Sequence, residues 1–272
     1  MDNLVPLESL VQALADVASV VVPPDRSGVA MAATAAWLRR RPRGLHLICA
    51  PIGGLQADLL IGAGAVARLE TSAVTLGEAG AAPRFVEAIK RGAFEMRDAT
   101  CPALLAGLTA GQKGVPFMPI RGLIGSDLMQ VRPDWRVIAN PFADDDPIVV
   151  VPAITPDVAL FHAPEADAEG NVRIGRQTEL MAMAQASRAC LVTVERIVEG
   201  SFFDDEATTA GVVPALYVSA IALAPRGAWP LSLPGEYAAD DGEIARYAAA
   251  ARSDRGFAAY LETFGERAQV AA

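Results

Sequence analysis

The sequence predicts an α/β fold, an open and mainly parallel sheet with helices on both faces. Three observations point there. Short runs rich in Val and Ile are apolar without interruption, as strands covered on both faces should be. Segments with helical periodicity and readable ends lie between them. The two kinds alternate along most of the chain, and strand–helix–strand succession builds parallel sheets.

The strand candidates are residues 17–22, 45–50, 58–61, 148–151, 158–162 and 189–194. The first helix starts at Ser27 as its cap and runs to about Arg41. Val29, Ala33, Ala36 and Trp37 form its apolar stripe, and Arg39, Arg40 and Arg41 suit the negative end of its dipole. Pro83 opens a second helix that Gly92 stops, with Phe85 and Ile89 one turn apart. Residues 177–188 and 241–252 read as two more. Residues 140–147, NPFADDDP, form a polar loop. The whole chain, 1–272, reads as one domain whose C-terminal arm and helices occupy about 227–272.

Composition excludes several classes. Hydrophobic residues make up 52% and charged residues 20%, which is globular. The formal net charge of −9 argues against a nucleic-acid partner, since such binders neutralise phosphates with Lys and Arg. Cys49, Cys101 and Cys190 are scattered and odd in number, so neither a disulfide framework nor a zinc site is expected, and a reducing cytoplasm is. No apolar stretch reaches the ~18 residues of a membrane helix. The opening MDNLVPLESLVQALAD has no basic region and does not read as a signal peptide.

Three glycine-rich turns could bring backbone N–H groups to an anion or a thioester oxygen: Gly53-Gly54, Gly62-Ala63-Gly64, and the segment from Arg121 to Ser126. Each equally suits plain turn geometry, and none fits a dinucleotide or P-loop pattern. His46 and His162 are the two histidines, and structural, hydrogen-bonded roles fit them better than catalysis. Glu165, Asp167 and Glu169 alternate before Gly170-Asn171, a spacing that suits a hairpin turn and fails the calcium-loop pattern. Cys101 precedes Pro102 at a helix start, where a thiolate is stabilised, but no base lies nearby in sequence, so an inert thiol is expected.

Longer phrases carry more. GLQADLLIGAGAVARLE (54–70), GVPFMPIRGLIGSDL (114–128), DPIVVVPAITPDVALFHAPEADAEGNVRIG (146–175) and GAWPLSLPGEYAADDGEIARYAAAAR (227–252) occur in this order. Together they resemble the α-type subunits of the glutaconate-like family I CoA-transferases. The resemblance spans about residues 17–265. It implies the open α/β fold shared with ribose-5-phosphate isomerase and glucosamine-6-phosphate deaminase. It also implies a covalent mechanism in which a glutamate attacks an acyl-CoA, gives a mixed anhydride, and then carries CoA as a glutamyl thioester.

In two-chain members of that family the glutamate belongs to the β-type subunit. The resemblance therefore implies no nucleophile in this chain and a heterodimer or heterotetramer with a β-type partner. An isolated chain could still pair with itself. Acyl-CoA and a carboxylic acid are the implied substrates. CoA is a substrate and not a resident cofactor, and no metal is implied. Ser27, Gly28, Gly53, Gly54 and Arg121 are the candidates for the acyl and oxyanion pocket, with Ser27 and Gly28 as donors at a helix start. Arg26, Glu78 and Arg121 are the charged residues expected near that pocket. Glu78 resembles a family "VGE" phrase and is expected to orient a water or a donor, or to serve as a base. The chain departs from the pattern at VVPPDRSGVAMAA (21–33), where Pro23 and Pro24 replace glycines, and at Trp229, where many relatives carry His. Two alternatives follow from the same scaffold: a CoA-thioester or ring-cleaving hydrolase, and a non-catalytic binding chain.

Overall fold

The computed structural model describes residues 3–271. Seven strands form a parallel sheet: β1 (Ser19–Val22), β2 (Leu45–Cys49), β3 (Val66–Thr71), β4 (Glu95–Asp98), β8 (Val158–Asp167), β10 (Ala189–Val198) and β12 (Ala220–Leu223). Their order across the sheet is β12-β10-β8-β1-β2-β3-β4. Near the end of β8 a hairpin adds β9 (Val172–Arg173) and then β11 (Val212–Val213), both antiparallel.

Side chains alternate between the two faces because successive Cβ atoms point opposite ways. Val20, Val22, Leu47 and Cys49 face one core with α1 (Leu7–Gln12), α2 (Met31–Arg39), α3 (Leu55–Gly62), α9 (Asp241–Ala250) and α10 (Asp254–Ala271). Val21 and Ile48 face a second core with α5 (Cys101–Lys113) and α7 (Thr178–Ala186). Two single-turn helices, α6 (Leu128–Val131) and α8 (Glu206–Thr209), interrupt the connections. The open parallel sheet with helices on both faces is the predicted architecture.

Four details differ from the expectation. Residues 58–61 belong to helix α3, not to a strand. Leu55 to Ile61 are all buried, Gln56 and Asp58 included, so this helix is covered all round and its sequence lacks an exposed polar stripe. Asp58 settles the matter. Its carboxylate accepts from the Arg84 and Phe85 N–H groups, at 3.3 and 2.6 Å, and caps α4 (Pro83–Arg91). The turn Gly62-Ala63-Gly64 accordingly closes a helix and does not follow a strand. Residues 148–151 form β7 (Ile148–Pro152), the centre of a separate antiparallel sheet with β5 (Phe117–Ile120) and β6 (Arg136–Ile138) that lies over the second core. Finally, α2 begins at Met31 with Ala30 before it, and Ser27 makes no capping bond.

β3 and β4 carry alternating charges that hid them. Arg68 and Glu95 pair across them at 2.8 Å, and β4 is the sheet's edge, where charges discourage further pairing. The loop at residues 140–147, the Pro83 start and the Gly92 stop stand as expected; Gly92 has φ +61°, which an L side chain rarely adopts. Among the described residues no helix is long and apolar enough to cross a membrane.

Candidate active site at the carboxyl edge of the sheet

Loops leaving the carboxyl ends of β1, β2 and β3 converge with the arm before α9. They enclose a cleft of about 710 Å³ whose walls include Asp25, Arg26, Gly53, Gly54 and Glu78. This edge is where ligands bind in open α/β sheets, because the strands end there and their loops diverge. The predicted Gly53, Gly54, Arg26 and Glu78 are thus brought together. Arg121 is not. It follows β5 of the small antiparallel sheet, is chelated by Asp146, and shares a separate hollow with Phe142.

The segment after β1, with Pro23 and Pro24, also supplies a carboxylate. Asp25 turns its carboxylate onto the Leu55 N–H, at 3.1 and 3.0 Å, at the amino end of α3. Gly54 is required beside it, since a Cβ there would stand 2.0 Å from the Asp25 carboxylate. Burial pushes the Asp25 carboxyl up to about 6, against the pull of the Leu55 N–H, with Asp58 raising it further. Sequence reading passed over Asp25; an acid directly after Pro23-Pro24 at the end of a Val-rich strand run is the signal that was available.

Gly53 has a structural duty. Its N–H donates to Ala73 O at 2.9 Å and its carbonyl accepts from Thr75 N at 3.0 Å, so that N–H is not free for a substrate. Glu78 sits exposed on a 3-10 turn, Gly77–Ala79, and among the described residues it has no hydrogen-bond or ion-pair partner. Ser27 and Gly28 line a narrow hollow next to the cleft, with His162, Gln177 and Leu233. Gly28 has φ +81°, and a Cβ on it would meet the His162 carbonyl oxygen at 2.1 Å. Among the described residues the Gly28 N–H has no hydrogen-bond acceptor within the chain. The helix start lies three residues beyond Gly28, so Gly28 precedes the first turn of α2 and does not belong to it.

Both histidines lie beside carboxylates. His46 Nε2 lies 3.3 Å from Glu70, which also pairs with Arg132 at 2.7 Å. His162 is fully buried, with Nδ1 2.8 Å from Thr193 Oγ1 and Nε2 2.7 Å from Glu195 Oε1. Asp167 ends β8 and takes hydrogen bonds from the Glu169, Asn171 and Phe202 N–H groups and from the Asn171 amide, so its carboxylate organises the turn that follows. Cys101 starts α5, where Thr100 caps the helix, and its Sγ lies 3.0 Å from Ser72 Oγ. Trp229 donates from Nε1 to Asp240 at 3.1 Å and stacks near Phe264, which anchors the arm to the last helix.

A family profile described as Coenzyme A transferase matches residues 11–224. The chain belongs to the coenzyme A transferase family. Within it, the chain is 32% identical to the A-type chain of 3-oxoadipate CoA-transferase from Pseudomonas knackmussii over 234 residues, covering 84% of this chain and 80% of that protein. It is 30% identical to the A-type chain of glutaconate CoA-transferase from Acidaminococcus fermentans over 222 residues, 75% of this chain and 69% of that one. The crystal structure of glutaconate CoA-transferase from that organism superposes with a TM-score of 0.86 at 24% identity, covering 96% of this chain and 87% of that one. A decarboxylase, AibA/AibB, superposes with a TM-score of 0.84 at 30% identity, covering 96% and 97%. The CoA-transferase fold therefore carries the cleft.

Proposed function

We propose that this chain is the α-type half of a two-chain CoA-transferase, working with a β-type partner that brings the attacking glutamate. The observation that carries this reading is the likeness to the A-type chains of two transferases, over most of their length and of this chain. The cleft supports it. Its lining includes two carboxylates without a hydrogen-bond or ion-pair partner, Glu78 and Asp241, but no nucleophile paired with a base among the described residues.

In this reading the partner's carboxylate attacks the acyl-CoA carbonyl, and negative charge develops on the carbonyl oxygen. The Gly28 N–H, which has no acceptor within the described chain and borders the hollow next to the cleft, serves in this reading as the donor to that oxygen, and a preorganised donor in a site shielded from water acts strongly. CoA thiolate leaves, returns to the resulting anhydride and forms the glutamyl thioester, releasing the first acid. The acceptor acid reverses both steps. Each step exchanges one activated acyl bond for another, so the thioester energy is retained.

The test uses the assembled complex with acetyl-CoA as donor and glutaconate or 3-oxoadipate as acceptor. We expect CoA transfer and, after borohydride or hydroxylamine trapping, a modified peptide from the partner chain. Label on Glu78 or another acid of this chain overturns the assignment of the nucleophile. Full turnover by the isolated chain overturns the need for a partner. A hydrolase is the second reading, and the free Glu78 carboxylate favours it, being placed to deprotonate a water. It predicts free CoA with no transfer, and loss of that release in Glu78→Gln.

A further inference from the structure

We propose that His162, Glu195 and Tyr237 form a positioning set that fixes the Gly28 loop and the start of α2 in the geometry the site uses, a role that rests on the transferase reading above. Three elements distant in sequence meet here: β8 supplies His162, β10 supplies Thr193 and Glu195, and the C-terminal arm supplies Tyr237.

A carboxylate only accepts, so His162 Nε2 carries the hydrogen of its 2.7 Å bond to Glu195 Oε1. The Tyr237 hydroxyl donates to the same oxygen at 2.7 Å. The other oxygen of Glu195 accepts from the Arg226 N–H at 2.6 Å. Tyr237 Oη in turn accepts from the Ala228 N–H at 3.1 Å. The Glu195 side chain is 10% exposed and fully used. Burial raises its pKa, but the hydrogen bonds from His162 and Tyr237 outweigh that and hold it below the ordinary glutamate value. The arm residues at positions 226, 227 and 228 are therefore set by one ionised carboxylate.

The set reaches the candidate site by two short paths. The His162 backbone N–H donates to Gly28 O at 2.7 Å, and the close approach of Gly28 to the His162 carbonyl leaves no room for a side chain. On the other path, Gly227 presses on the imidazole so closely that a Cβ would stand 2.6 Å from Cε1, and its carbonyl accepts from the Ala32 N–H at 2.9 Å, in the first turn of α2. Residues 28 and 32 are thus pinned from one network, with the Gly28 N–H beside them. A core needs only apolar filling at these positions. A buried, fully satisfied polar network instead specifies one arrangement of the groups it joins.

The experiment compares the assembled complex carrying His162→Leu, His162→Gln or Tyr237→Phe with the unchanged complex. Steady-state kinetics use acetyl-CoA with glutaconate, below each variant's melting temperature and normalised to folded complex. Hydrogen exchange is read at residues 27–32. We expect His162→Leu and Tyr237→Phe to lower kcat by about 10- to 100-fold with KM little changed, as misplacement of a reacting geometry does. Exchange at residues 27–32 should speed up. His162→Gln, whose amide can still donate to Glu195, should recover most of the loss. Unchanged kcat in folded His162→Leu and Tyr237→Phe complexes overturns the proposal, as does unchanged exchange in the loop. If His162→Leu fails to assemble, Tyr237→Phe, which removes one hydroxyl and leaves the ring, decides alone. If the unchanged complex transfers no CoA, the functional reading fails, while the exchange comparison still decides whether the set holds the loop.

Discussion

Replacing Asp25 by Asn should change how stability depends on pH, and the structure sets the size. The Asp25 carboxyl is raised from 3.8 to about 6, chiefly by burial against α3. The folded chain therefore holds a proton there more tightly than the unfolded chain does. Between the two values the folded state binds more protons, so this group's contribution is fully present below pH 3.8 and is lost as pH rises through 6. A shift of about two units at ~1.4 kcal/mol each gives about 3 kcal/mol, an upper figure because Asp25 borders the cleft. Asn keeps an oxygen for the Leu55 N–H and cannot ionise. The difference in stability between Asp25→Asn and the unchanged chain should grow by up to about 3 kcal/mol in favour of the variant from pH 4 to pH 8, or roughly 6–10 °C in Tm for a chain of this size. Differencing the two proteins cancels the opposite trend of Glu70, Asp134 and Glu195, whose pKa values are lowered in the fold. Thermal and guanidinium unfolding at pH intervals measure it. A constant offset across the range would refute the reasoning.

Three further outcomes are expected. Asp58→Ala strips the acceptor from the Arg84 and Phe85 N–H groups and from the Tyr247 hydroxyl, 2.6 Å away, and should cost about 3 kcal/mol or more by denaturant unfolding. Gly28→Ala meets both a positive φ and the His162 carbonyl; it should destabilise by about 1–3 kcal/mol and lower kcat in the assembled complex, and an unaffected variant would show that the loop is free to move. Ser27→Ala should change stability by less than about 0.5 kcal/mol, because the hydroxyl caps nothing; a loss near ~1 kcal/mol would show that Ser27 caps α2 in solution.

Local patterns were legible where local physics decides. Pro83 and Gly92 bracket α4 because Pro suits a first helical turn and Gly tolerates the left-handed stop. The Val-rich runs of β1, β8 and β10 lie in the sheet because both its faces are covered. The hairpin after β8 follows from Glu-Gly-Asn, and its Asp167 collects the turn's N–H groups. The family phrases located the chemistry without giving its geometry. Asp58 in a run of Leu and Ile read as strand, since an apolar run has no period to betray a buried helix. β3 and β4 were obscured because their charges pair across strands, a compensation that only neighbours supply.

Fold class and family could be read from the chain before folding, because apolar periodicity and ordered phrases belong to the chain itself. Which candidates share a cleft could not. Folding gathered Gly53, Gly54, Arg26 and Glu78, placed Arg121 elsewhere, and added Asp25, whose raised pKa exists only because α3 packs against it. It also joined Glu195 to His162 and Tyr237, 33 and 42 residues away along the chain. Desolvation and hydrogen-bond geometry arise from neighbours brought close by folding, so no reading of one segment contains them.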